Sequence, residues 1–240
     1  MQNFNEHTQQ SFFIQKLIKN QLIFNLQNIP YKLVCWELIC TQNSFKINRN
    51  KPFNGTQAMF GSGPSIDFCF YSEEFNKFLF IEMKNYDTLK WNQSPKNLLL
   101  AFLQTTYLAI KFQDNYDRKN LYTAMTDCFQ GALNIDGGKI LRNKYQLNKH
   151  TIVKKYINLP QNNAFKIDRY IMLFEFKNYN EALNQIHDFN LMDTDDLLKT
   201  INNLTTEKKK YKRFKNLAKF QTIKINQFIK TQNPLLIYEM

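Results

Sequence analysis

The sequence predicts an α/β domain built on a central mixed sheet. Three observations lead there. The chain opens with apolar residues at helical spacing. Apolar runs rich in β-branched and aromatic residues follow. A longer helical segment then gives way to another strand-like run. The order is α-β-β-β-α-β followed by a helical tail, a pattern that suits helices layered on a sheet.

Each element has a local reason. Over Glu6–Phe24, the residues Phe13, Ile14, Leu17 and Ile18 recur at spacings of three and four, which predicts a helix. Asn5 suits its N-cap, and Glu6 places a carboxylate in the first turn. Pro30 ends the connection, and Tyr31–Cys40 reads as a strand. The polar stretch 41–63 carries the turn signals Asn54-Gly55 and Gly61-Ser-Gly-Pro64. Ser65–Tyr71 and Phe78–Met83 are apolar strands flanking the polar break Glu73–Lys77. Ser94–Phe112 is a helix with Ser94 at the cap and Pro95 at the first helical position. Leu121–Met125 reads as a short strand, Arg169–Phe176 as a strong one, and Asn180–Phe189 as a short helix. From Thr194 to Ile229, Leu197, Leu204, Tyr211, Ala218 and Ile225 repeat every seven residues, predicting a long helix. Residues 1–190 are thus expected to form one domain, and 191–240 a basic helical extension.

Composition narrows the classes. In 240 residues, 43% are hydrophobic and 22% charged, which excludes a disordered or collagen-like chain. The balance of 32 Lys+Arg against 20 Asp+Glu leaves +12, favouring a polyanionic partner. The segment MQNFNEHTQQ has no secretory layout, and no apolar run reaches the roughly 20 residues of a membrane span. Cys35, Cys40, Cys69 and Cys128 form no CxxC pair, and His7, His150 and His187 are scattered. Buried free thiols in an intracellular compartment, cytoplasm or nucleus, are the expectation, with no zinc site and no membrane.

The tripeptide E-x-K occurs at Glu82–Lys84, Glu175–Lys177 and Glu207–Lys209. The last copy lies in the tail helix, where residues two apart do not share a face. In a strand they do. A hairpin closed over Glu74-Phe75 pairs 73 with 76, 71 with 78, 69 with 80 and 67 with 82. Asp67 then falls opposite Glu82, with β-carbons roughly 5 Å apart. Two carboxylates that close favour a shared hard cation such as Mg²⁺ or Mn²⁺. The Asp168–Glu175 pair has no turn at its midpoint, and its odd separation puts the acids on opposite faces.

Pro64-Ser-Ile-Asp67, then strand, turn and strand, then Glu82-Met-Lys84, resembles the PD-(D/E)xK nucleases of the restriction-endonuclease-like fold. The resemblance spans residues 1–180 at the level of element order and leaves out the tail. It implies a metal-dependent nuclease acting on DNA. Asp67 and Glu82 would hold the metal, and Lys84 would orient or activate the attacking water. It further implies an acid from the first helix, for which Glu6 is the best match. Glu37, inside the second element, is a rival ranked below it. Gln104-Thr-Thr-Tyr107 is similar to the Gln-then-Tyr pattern of several subgroups, one residue short of the commonest spacing, which adds Gln104 to the site.

The tail carries Lys208, Lys209, Lys210, Lys212, Arg213, Lys215, Lys219 and Lys224 without an acid, interleaved with Tyr211, Phe214 and Phe220. It either tracks a nucleic-acid backbone or packs its apolar stripe on the domain, on a second copy or on another protein. A non-catalytic nucleic-acid-binding subunit is the competing functional class.

Overall fold

The computed structural model describes residues 6–40, 45–47, 65–85, 94–132, 156–174, 179–203, 227–228 and 236–239. They form α1 (Glu6–Lys19), β1 (Ile23–Leu26), β2 (Ile29–Cys40), β3 (Phe45–Ile47), β4 (Ile66–Ser72) and β5 (Lys77–Asn85). There follow α2 (Ser94–Asp114), α3 (Arg118–Ala132), β6 (Lys166–Phe174), α4 (Tyr179–Leu191), α5 (Thr194–Asn203) and β7 (Leu236–Glu239). The expected α/β class with a mixed sheet is what the chain adopts. The strands hydrogen-bond in the order β1-β2-β4-β5-β6-β7, with β3 also on β2. The pairs β1–β2, β2–β3 and β2–β4 are antiparallel, and β6–β7 is parallel. Among the described residues, no helix is long and apolar enough to cross a membrane.

The chain divides into two compact units, one of residues 1–80 and 111–166, the other of 81–110 and 167–240. In the first, α1 stops at Lys19 rather than continuing to Phe24. Gln21 and Leu22 both adopt left-handed backbone conformations. Their amides bond to the carbonyls of Ile18 (3.2 Å) and Leu17 (2.7 Å), closing the helix end. This releases Ile23 and Phe24 to start β1. Gln27 and Asn28, both with positive φ, form the two-residue turn into β2. Pro30 falls inside β2, not in a connection. It faces Asn25 on the edge strand, in the pair next to the turn-closing pair Leu26/Ile29, where no ladder N–H is required of it.

The buried face of α1 presents Phe13, whose ring meets Phe68 at 4.9 Å and Phe24 at 5.6 Å, edge to face. Strand β4 is buried at every position, as a central strand with elements on both faces should be. Its link to β5 is the four-residue turn 73–76, ending in Asn76 at a left-handed φ of 46°. Tyr71 donates its hydroxyl to Asn76 Oδ1 at 2.8 Å. Tyr71 and Phe78 have ring centroids 4.6 Å apart. Phe78 also touches Phe112 (4.8 Å) and Phe165 (4.7 Å), so one aromatic cluster ties the hairpin to the end of α2 and the start of β6.

Leu121–Met125 is part of α3, not a strand. Leu121, Met125 and Cys128 continue one another at spacings of four and three, and all are buried. Asp117 caps the helix by accepting the Asn120 N–H at 2.7 Å. Cys128 Sγ accepts the Trp36 N–H at 3.4 Å. Cys35, Cys69 and Cys128 are buried free thiols, and burial pushes the thiols of Cys69 and Cys128 well up.

In the second unit, Phe102 of α2 meets Phe189 of α4 at 5.5 Å. The expected tail helix is present as α5 as far as Asn203. Its basic stretch, residues 208–224, lies outside the described residues, as do the turn signals at 54–55 and 61–64. The sequence assigned no element to 236–239, which form β7.

Phe78→Ala should cost about 3–5 kcal/mol, because its cluster cannot collapse around the void. A urea midpoint shift with unchanged slope checks this, and an unchanged midpoint contradicts the packing account. Burial also raises the phenols of Tyr71, Tyr116 and Tyr170, the last to about 12 from 10.0. The folded chain therefore holds these protons more tightly than the unfolded one. The resulting stability is full below pH 10 and is lost as pH rises through about 12. Thermal melts across that window should fall in step with phenolate absorbance.

Candidate functional site

Among the described residues, each unit carries a buried polar cluster among apolar walls. The first is built on β2, β4 and α1. The register pairs Trp36 with Phe68 and Leu38 with Ile66, so position 37 lies opposite position 67. Glu37 is 1% exposed and Asp67 7%. Buried acids require donors. Gln10 of α1, also 1% exposed, supplies them. Its Nε2 donates to Glu37 Oε1 at 3.1 Å and to Asp67 Oδ1 at 3.4 Å. Ser65 Oγ donates to Glu37 Oε2 at 2.6 Å.

Glu37 holds a φ of 51°, inside a strand and without glycine's freedom. Such a conformation costs on the order of 1–3 kcal/mol and persists only where the surroundings enforce it. A register shift between Leu33 and Cys35 marks a bulge just upstream.

The second cluster is built on β5 and α2. Glu82 is 2% exposed on an otherwise apolar strand. Lys84, two residues on and on the same face, places Nζ 2.6 Å from Glu82 Oε1. Gln104 Nε2 donates to that same oxygen at 3.0 Å. Further along α2, Thr106 accepts a bond from Arg169 of β6 at 2.6 Å while donating to the Phe102 carbonyl at 2.7 Å. The Arg169 guanidinium is fully buried and lies 5.1 Å over the Phe228 ring. Burial lowers its pKa, with the neighbouring Asp168 pulling it back up.

The expected site residues thus fall as follows. Glu82, Lys84 and Gln104 come together, and Asp67 is buried with Glu37 and Gln10. Glu6 is the first residue of α1, and its side chain lies outside the described residues. Among the described side chains of α1, Gln10, four positions further on, reaches Asp67. The copy Glu175–Lys177 and the tail residues Lys208, Lys209, Lys210, Lys212, Arg213, Lys215 and Lys219 also lie outside.

The sequence reading names no role for Gln10 and ranks Glu37 below Glu6; the structure places Gln10 beside both Glu37 and Asp67, and each residue leaves a signal. Gln10 continues the stripe Phe13, Ile14 and Leu17 back by one turn, so a polar residue there had to be buried and partnered. Glu37 is the one acid in the apolar run 33–40. Arg169 gave the same kind of sign at the head of its strand.

The donors available to a ligand are carboxylate oxygens, which suit Mg²⁺ or Mn²⁺ rather than a thiophilic ion. Among the described residues, no group of three or more His, Cys, Asp or Glu side chains is arranged to hold a metal ion. No protein-family model, curated protein or solved structure matches the chain.

Lys84→Ala removes the cationic partner of a buried carboxylate. It should destabilise the fold by about 3 kcal/mol, the low end for a broken buried pair, because Lys84 is itself 20% exposed. Glu82→Gln, which keeps the shape and a hydrogen-bonding oxygen, should cost less. Chemical denaturation of the two variants gives the order directly.

Proposed function

We propose that the protein is a metal-dependent nuclease that hydrolyses phosphodiester bonds, with DNA as its substrate, and that its core is of the restriction-endonuclease-like kind. One observation carries the proposal. Buried Glu82 and part-buried Lys84 form an acid–base pair on one face of β5, held by Gln104, in the second strand of a hairpin in which Tyr71 and Phe78 are in contact. On the register read from the sequence, Asp67 is expected opposite Glu82. Support for the fold comes from the order α1–β2–β4–β5–α2–β6, to which β1, β3 and α3 are additions.

On this proposal Asp67 and Glu82 hold Mg²⁺ or Mn²⁺ through carboxylate oxygens. A bound ion of this kind supplies Lewis acidity and a nucleophilic hydroxide at neutral pH. Gln104 fixes the orientation of Glu82 by occupying one lone pair of Oε1. Lys84 keeps an ammonium beside that oxygen, where it can stabilise negative charge developing on a phosphate. The net charge of +12 supports a polyanionic substrate, and the free thiols of Cys35, Cys69 and Cys128 suit an intracellular setting, cytoplasm or nucleus. The basic tail is assigned to the nucleic-acid backbone or to a protein partner.

A second reading draws on the same pair. With Lys84 already 2.6 Å from it, Glu82 has a cationic partner within its own strand, as in a nucleic-acid-binding subunit that does not cut. Incubation of plasmid and single-stranded DNA with Mg²⁺ or Mn²⁺ separates the two. The wild type should cleave, and Asp67→Ala, Glu82→Gln and Lys84→Ala should each lose at least about 100-fold in rate. No cleavage by the wild type, or equal cleavage by the variants, would falsify the assignment, and DNA retention without cutting favours the binding subunit.

A further inference from the structure

We infer that Cys35 and Cys69 are a redox-sensitive pair, which hydrogen peroxide closes into a disulfide across strands β2 and β4. The two residues are direct partners in the antiparallel ladder. Directly opposed residues project from the same sheet face, with α-carbons about 4.5–5.5 Å apart. A disulfide spans about 4.4–6.8 Å between α-carbons, so the backbone has no distance to make up. Both side chains are fully buried, and both are free thiols. Burial pushes the Cys69 thiol well up, and the Cys35 side chain beside it adds to the rise. Cys128, a third buried thiol, comes from α3, and its sulfur accepts the Trp36 N–H.

The place of the pair in the ladder gives the bond a consequence. The β2–β4 register shifts between Leu33 and Cys35, and Cys35/Cys69 is the first pair beyond the shift. Glu37 and Asp67 lie two positions further along their strands. A strand that slips by one residue turns each side chain to the opposite face. A covalent link at this pair fixes the register that sets Glu37 opposite Asp67. Two small apolar side chains would fill the same space without supplying that link.

In the reaction, one cysteine thiolate attacks a peroxide oxygen. The O–O bond breaks, a sulfenic acid forms, and hydroxide leaves and is protonated to water. The facing thiol then displaces the sulfenic hydroxyl as a second water, and the S–S bond forms. Two thiols and one hydrogen peroxide thus give one disulfide and two waters, with sulfur oxidised and peroxide reduced. Thiolate is the attacking form, so burial keeps the pair reduced while the sheet is closed. Oxidation follows local opening of β2 from β4, and reclosure brings the two sulfurs together.

The full chain is incubated with hydrogen peroxide in urea well below the unfolding midpoint, digested without reductant and mapped by mass spectrometry. A peptide joining Cys35 to Cys69 should form, and dithiothreitol should release it. The oxidised chain should melt about 5–15 °C above the reduced one, because the link closes a loop in the unfolded chain. Cys128→Ala should keep the link and Cys69→Ala should abolish it. Should either variant fail to fold, the map and melts of the wild type decide alone. Sulfinic or sulfonic acids without the linked peptide, a link to Cys128 in its place, or an oxidised chain that melts no higher overturns the inference.

Discussion

A carboxylate taken out of water has to be met by donors, and that requirement organises both units of this protein. Glu37 and Asp67 sit in strands whose neighbours are almost wholly apolar, and so does Glu82. None of these strands could bury its acid unaided. In each case a helix supplies a glutamine side chain: Gln10 from α1 and Gln104 from α2. The aromatic packing of α1 against β1 and β4 therefore does more than fill space. The contact of Phe13 with Phe68 fixes the helix that delivers Gln10. Loss of that packing would leave two acids without their shared donor, so core integrity and polar geometry are coupled.

Amides suit this task better than cations in one respect. A glutamine holds a carboxylate in place without itself carrying a charge. Lys84 does the opposite at Glu82, supplying a full charge.

Much of this was legible in the sequence because apolar periodicity is a local signal. The runs that became β4 and β5 were bounded by turn residues, and the E-x-K spacing placed Glu82 and Lys84 on one face. The misread elements share a cause. The helix α1 was extended to Phe24 because Ile23 and Phe24 prolong an apolar pattern. What stops it is left-handed backbone at Gln21 and Leu22, neither of them glycine. Position 37 is alike, since nothing in the residue type announces a positive φ. Leu121–Met125 was read through too short a window to include Cys128, which completes its helical stripe. Gln10 was readable in principle, because a polar side chain on an apolar stripe must find partners. Which partners it finds depends on strands some 27 and 57 residues away, and no local pattern contains that information.

The parallel pairing of β6 with β7 joins Tyr170 to Leu236 and Leu173 to Glu239. These partners are separated by more than sixty positions, so the pairing must wait for a long loop to close. The β1–β2 hairpin closes across two residues and can form at once. Strand assembly therefore has a built-in sequence in time, quick at β1 and slow at β6. Until residues 236–239 dock, the backbone of β6 offers open hydrogen-bonding groups to any extended chain nearby. Among the described strands, the edge of β6 thus stays open during synthesis until the four residues of β7 cover it.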